Sequence, residues 1–140
     1  MSTHITKRLA LTRRTATVLV AVLTAGIGVT LSAGPAQAAL TGSCTISGCS
    51  DAAAAVQTWT SLGDPTSRGW YDMPDGSCSF AGGTYYNDDG QLPSGDNYYE
   101  YDVYERSCGA HRDAYRIVHD VDTDTWYYSP DHYSDFYQMS

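Results

Sequence analysis

Hydrophobic and polar positions divide the chain into stretches of different periodicity. Lys7, Arg8, Arg13 and Arg14 precede an apolar run from Thr15 to Leu31, and the small residues Ala36-Gln37-Ala38 follow it. From Asp51 to about Leu62 a cluster of alanines is joined by Val56, Trp59 and Leu62 near helical spacing. This predicts a helix with that apolar edge, with Ser50 or Asp51 as N-cap and Gly63, Asp64 and Pro65 as its stop. Between Pro65 and Gly83 the chain is rich in Gly, Pro, Ser and Asp, which predicts a loop held by Cys78. Past Gly83 aromatic and β-branched residues take over, predicting strands at Thr84 to Tyr86, Tyr98 to Tyr104, Tyr115 to His119 and Thr125 to Tyr128. Along the second of these, Tyr98, Glu100, Asp102 and Tyr104 share one face and Tyr99, Tyr101 and Val103 the other. The expected fold class is α+β, one N-terminal helix packed on an antiparallel β-sheet.

The first stretch has the layout of a secretory signal: a basic start, an apolar middle and an Ala-x-Ala cleavage site. Residues 1–38 are therefore expected to be a signal peptide and 39–140 a single domain in a secreted protein. Gly26, Gly28 and Gly34 interrupt the apolar run and argue against a permanent membrane anchor, while Arg13-Arg14 leaves both the general and the twin-arginine export routes open. Cys44, Cys49, Cys78 and Cys108 all follow the cleavage site, as expected for two disulfides formed outside the cytosol. Four cysteines allow three pairings; Cys44–Cys49 with Cys78–Cys108 is the expectation, and the sequence does not exclude the other two. No C-x-x-C occurs, so a zinc site is not expected.

Charge narrows the function classes. After residue 38 stand Arg68, Arg106, Arg112 and Arg116, no lysine and all 16 acidic residues: four positive charges against sixteen negative, −12 in all. Such a surface argues against a protein that coats a phosphate backbone, and an anionic membrane is not an expected partner. Phosphate chemistry, if present, must be local. Arg112 and Arg116, four apart, project from one face if that segment is extended; His132 follows the Ser129-Pro130-Asp131 turn, where a histidine can be exposed and exchange protons. Each taken alone fits a bland role, a surface arginine pair, a solvated carboxylate at Glu100 or a loop histidine. His119 alternates away from Arg116 and is expected to be a packed strand residue; His111, next to Arg112, is open to two readings, an influence on substrate contact or a solvated loop residue.

Taken together, three segments resemble a family. Asn97-Tyr98-Tyr99-Glu100-Tyr101-Asp102-Val103, then Arg112-x-x-x-Arg116-Ile117-Val118, then Tyr127-Tyr128-Ser129-Pro130-Asp131-His132-Tyr133-Ser134-Asp135-Phe136 resemble, in order and spacing, the microbial ribonucleases of the barnase and ribonuclease Sa type. Upstream, Tyr85-Tyr86-Asn87-Asp88-Asp89-Gly90-Gln91-Leu92-Pro93 is similar to that family's guanine-binding loop, usually aromatic-x-Asn-Arg-Glu-x-x-Leu-Pro.

The resemblance implies the microbial ribonuclease fold and cleavage of single-stranded RNA with no metal and no cofactor. In that scheme Glu100 is the general base, His132 the general acid, and Arg112 and Arg116 stabilise charge on the phosphate. Tyr133 donates to the same phosphate, and Tyr85, Tyr86, Asn87 and Asp89 bind the base. The chain departs from the family at Asp88-Asp89, where the base-reading carboxylate is one methylene shorter, so preference for guanosine is expected with more tolerance of adenosine. The resemblance also admits a barstar-like protein inhibitor as a partner, and a monomer is expected. Two other classes remain open on the residues alone. One is a secreted tyrosine-rich binding or inhibitory module with an idle nuclease-like site; the other is a glycosidase using Glu100 with an aspartate.

Overall fold

The computed structural model describes residues 40–139; the expected signal peptide lies outside them. Strand β1 (Leu40–Ser43) is followed by helix α1 (Cys49–Ser61) and six strands: β2 (Gly69–Asp72), β3 (Cys78–Tyr85), β4 (Tyr98–Asp102), β5 (Arg116–Asp120), β6 (Thr125–Ser129) and β7 (Phe136–Gln138). They form one sheet in the order β1-β7-β6-β5-β4-β3-β2, antiparallel throughout except for the parallel β1–β7 pair. The fold is α+β, a single helix packed on a sheet, as the residue pattern predicts. Both expected disulfides, Cys44–Cys49 and Cys78–Cys108, are formed.

The helix begins two residues earlier than its composition suggests. Gly48, in the left-handed region at φ 92°, stands at the N-cap position without a side-chain cap, and its carbonyl accepts from Ala52 N at 2.8 Å. Glycine is needed there twice over, because a Cβ would also overlap the hydroxyl of Tyr128. Asp51, expected as a cap, instead accepts from Tyr104 Oη at 2.9 Å. The buried face is Ala52, Ala55 and Trp59 rather than Val56 and Leu62, and Leu62 is 38% exposed. Small alanines let the helix lie close on the sheet, and Trp59 reaches through that contact: its ring packs 5.0 Å from Tyr101 and its Nε1 donates to Asp102 O at 2.9 Å.

The expected loop from Pro65 to Gly83 is largely a hairpin. β2 and β3 pair from Gly69↔Ala81 to Asp72↔Cys78 around a turn closed by Met73 N to Ser77 O at 2.9 Å. Both faces of β3 are covered over most of its length, so small residues (Ser79, Ala81, Gly82, Gly83) replace the alternation by which a half-exposed strand is recognised. β1 and β7 also went unpredicted, because each is short and exists by virtue of its neighbour. Two apolar clusters lie on opposite sides of the sheet. Tyr101, Ile117 and Tyr128 pack with Ala52, Ala55 and Trp59 on the helix side, while Leu92, Tyr98, Val118, Tyr127 and Phe136 fill the other. The row Glu100–Val118–Tyr127 and the next, Asp102–Arg116–Ser129, belong to the side away from the helix.

Candidate active site

On that side an open cleft of about 780 Å3 is lined by Tyr85, Asp89, Glu100, His132, Tyr133 and Arg68, among others. A second opening, bordered by His111, Arg112, Arg116 and again His132, adjoins it. The sequence-predicted residues thus come together from four separate parts of the chain.

Glu100 is nearly buried at the centre of β4. It fits because β3 has a glycine beside it: a Cβ at Gly82 would overlap its carboxylate. Tyr133 Oη donates to Glu100 Oε2, and Arg112 Nη2 stands 4.0 Å from Oε1. Burial, then the charge of Glu100 and this hydrogen bond, push the Tyr133 hydroxyl well above the ordinary tyrosine range, so it remains a donor at neutral pH.

Arg112 lies in the loop before β5 rather than on an extended segment, so strand periodicity is not what brings it beside Arg116. A shared carboxylate does. Asp102, 0% exposed, accepts from Arg112 Nε at 2.9 Å and Nη2 at 2.5 Å, and its Oδ1 is 3.2 Å from Arg116 Nη1. Arg106 Nη2 approaches its other oxygen at 3.4 Å. Arg116, 2% exposed, is further held by Asp113 O at 2.6 Å and Tyr115 O at 2.7 Å. Arg112 also rests over the Phe80 ring, 4.2 Å from its centroid. Burial works against the charge on Arg112, but Asp102 and then Glu100 outweigh it and hold the guanidinium above its usual pKa. Three guanidinium groups thus surround one buried aspartate, and Asp113 also pairs with two of them, Arg106 at 3.0 Å and Arg116 at 3.2 Å.

His132 is exposed and sits in the left-handed region (φ 58°), as does Tyr133 (φ 74°). For two side chains larger than glycine this costs conformational energy, so the surroundings must impose it. They do so through Ser129 and Asp131: Tyr133 N donates to Ser129 Oγ at 2.8 Å and Asp135 N to Asp131 Oδ1 at 2.9 Å, while His132 N reaches Ala114 O at 2.9 Å. The turn thereby holds His132 at the junction of the two openings.

The residues expected to bind the base divide. Tyr85 is half-buried, its ring 5.1 Å from Tyr133 and 5.7 Å from Phe136; burial first, then Asp89, Glu100 and Asp88, raise its pKa to about 12. Tyr86 is 78% exposed and Asp89 is also exposed. Asn87 (φ 51°) turns its side chain inward, donating to Leu92 O at 2.9 Å and accepting from Leu92 N at 3.0 Å. It shapes the loop. His119 is packed as expected, stacked 4.1 Å from Trp126 with Nε2 3.0 Å from Asp124.

Sequence reasoning missed Asp102 as an organiser, although its parity with Glu100 placed it on the right face; Arg68 and Arg106 carried no local signal. Among the described residues two groupings bring three potential metal ligands within 4.8 Å. One includes the disulfide-bonded Cys78 and Cys108. In the other, Asp96, Asp120 and Asp122 gather at the end of β5 remote from Arg116, and Asp120 already accepts from Asp122 N, Thr123 N and Thr123 Oγ1. Neither borders the cleft.

A comparison with curated proteins gave no match. A family model described as ribonuclease matches residues 36–140, which span the whole sheet, the helix and both openings. The chain belongs to the microbial ribonuclease family, of the barnase and ribonuclease Sa type.

Proposed function

We propose that this ribonuclease is an exported endonuclease that cuts single-stranded RNA through the ribose 2′-hydroxyl, using side chains alone. Glu100 takes the 2′-hydroxyl proton as the oxygen attacks phosphorus, and His132, entering as the imidazolium, gives its proton to the departing 5′-oxygen. The P–O5′ bond breaks and a 2′,3′-cyclic phosphate remains. In the second step the roles reverse: His132 takes a proton from water, Glu100 returns one to the 2′-oxygen, and a 3′-phosphate results. Arg112 and Arg116 meet the charge gathering on the non-bridging oxygens. Held by Asp102, they need little reorganisation when that charge develops. The incoming phosphate competes with Glu100 for the Tyr133 hydroxyl, which frees the carboxylate to act as a base.

The observation that carries this reading is the convergence of Glu100, Tyr133 and His132 on one cleft, with Arg112 4.0 Å from the carboxylate. A base preference for guanosine, loosened by the short Asp89, follows from the loop from Tyr85 to Leu92. Export is supported by two disulfides in a chain of this size. Digestion of single-stranded RNA in excess EDTA, with product ends mapped, tests the chemistry. Cyclic and 3′-phosphate ends are expected; loss of activity in EDTA, or 5′-phosphate ends, would refute it.

A further inference from the structure

Three of the four arginines after residue 38 are spoken for. Arg106, Arg112 and Arg116 approach Asp102 at 3.4, 2.5 and 3.2 Å. Arg68 has no carboxylate within ion-pair distance among the described residues. It projects from the loop between α1 and β2, donates from Nη1 to Gly82 O at 3.1 Å, and lies 5.1 Å from the centroid of Phe80, the ring that also carries Arg112. Its side chain lines the same cleft as Glu100 and His132. A glycine permits this approach: a Cβ at Gly83 (φ +80°) would press on Arg68 Cβ at 3.3 Å. In a segment with a formal charge of −12, an arginine beside a cleft and without an acidic partner is a group available to an anion.

We propose that Arg68 binds the scissile phosphate of the RNA, as a third guanidinium beside Arg112 and Arg116. This inference deepens the ribonuclease reading and rests on it. The bond to Gly82 O uses one N–H of Nη1; Nε and Nη2 keep donors for a phosphate oxygen. Phe80 carries both guanidinium groups over one ring, which ties Arg68 to the site of Arg112. Asp102 and Asp113 offset much of the charge on the other arginines, whereas Arg68 brings a whole one to the second negative charge that builds on the phosphate during attack. Its contribution should therefore fall on the phosphate and not on the base.

The test compares wild type, Arg68→Ala and Arg68→Lys on whichever of GpC, ApC and UpC the wild type cleaves fastest. These substrates hold a single phosphate, so no neighbouring phosphate can produce the effect. Arg68→Ala is expected to lower kcat/KM about tenfold or more, with partial recovery in Arg68→Lys. Its affinity for the matching nucleoside 3′-monophosphate should drop while that for the bare nucleoside stays, and its thermal midpoint should be unchanged. Unaltered turnover of the dinucleoside phosphate, even with weaker cleavage of long RNA, would overturn the assignment. Equal weakening of nucleotide and nucleoside would overturn it too, since it would signal a displaced loop. A wild type that cleaves none of the three would instead refute the ribonuclease reading.

Discussion

The two ends of the cleft are built to different standards. At the end proposed to take the phosphate, Arg112 and Arg116 are tied to Asp102 beneath them, and the turn bearing His132 is fastened through Ser129 and Asp131. At the end proposed to read the base, the loop from Tyr85 to Leu92 is closed mainly by one side chain, Asn87, and presents Tyr86 and Asp89 to solvent. Charge stabilisation requires groups already in position when the transition state forms, and buried multiple bonds supply that. Base reading is a matter of one or two polar contacts, so an exposed loop can change its residues without disturbing the chemistry. The Asp88-Asp89 pair, where the family usually has Arg-Glu, lies at the tolerant end.

The largest expected effect breaks the phosphate end. Glu100→Gln and His132→Gln should each lower turnover by about 10²–10⁴-fold while leaving a folded protein, measured as kcat on a dinucleoside phosphate beside far-ultraviolet circular dichroism. An active, folded Glu100→Gln protein would remove Glu100 from the mechanism.

Next comes Asp102→Ala, which leaves three guanidinium groups around a vacated site. A loss of about 3–5 kcal/mol in unfolding free energy is expected from denaturant titration, because breaking a buried ion pair strands the opposing charge. A change below about 0.5 kcal/mol, the range of an ordinary surface substitution, would mean that Asp102 does not organise the arginines.

The base end should respond more gently. Asn87→Ala deprives Leu92 N and O of their partner, at a cost of about 1–3 kcal/mol confined to the loop. The expected signature is a raised KM and a smaller ratio of GpC to ApC cleavage with kcat nearly kept. A fall in kcat as large as that for Glu100→Gln would contradict the division between the two ends. Asp89→Glu should do the reverse and widen the GpC-to-ApC ratio by a few-fold, since a good base contact is worth about 1–3 kcal/mol in full. Equal rates on GpC, ApC and UpC in both proteins would show that this loop does not read the base.

The smallest effect concerns Tyr85, which borders both ends. Its folded pKa of about 12 exceeds the ordinary tyrosine value of 10.0, so between these values the folded chain holds a proton that the unfolded chain has released. Its contribution to stability is complete below pH 10 and declines as pH rises towards 12. Because Tyr85 is half-buried, solvent screens the effect. Tyr85→Phe should flatten the alkaline limb of a stability-versus-pH curve slightly, and an unchanged limb would remove Tyr85 as a contributor.

What could be read from residues alone tracks how local the signal was. The helix around Trp59 and the strands β4, β5 and β6 announced themselves through propensity and alternation. The parity of Glu100 with Asp102, and the order of Glu100, Arg112, Arg116 and His132, survived intact into the structure. The hairpin β2–β3 did not announce itself, since a strand covered on both faces and made of Ser, Ala and Gly has no alternation to read. The cap at Gly48 was hidden because its cause is Tyr128, eighty residues away in sequence.

By itself, then, the sequence determined the fold class, the face on which Glu100 and Asp102 stand, and the family to which the chain belongs, all of which depend on side-chain type and spacing along one segment. Only the tertiary structure decided which arginines meet Asp102, why Asn87 serves the loop, and that Arg68 faces the cleft with no carboxylate within ion-pair distance among the described residues. Those outcomes depend on strand order and on loops brought together across the sheet. A guanidinium's partner is set by what lies within about 4 Å in space, and neighbours in space need not be neighbours in the chain.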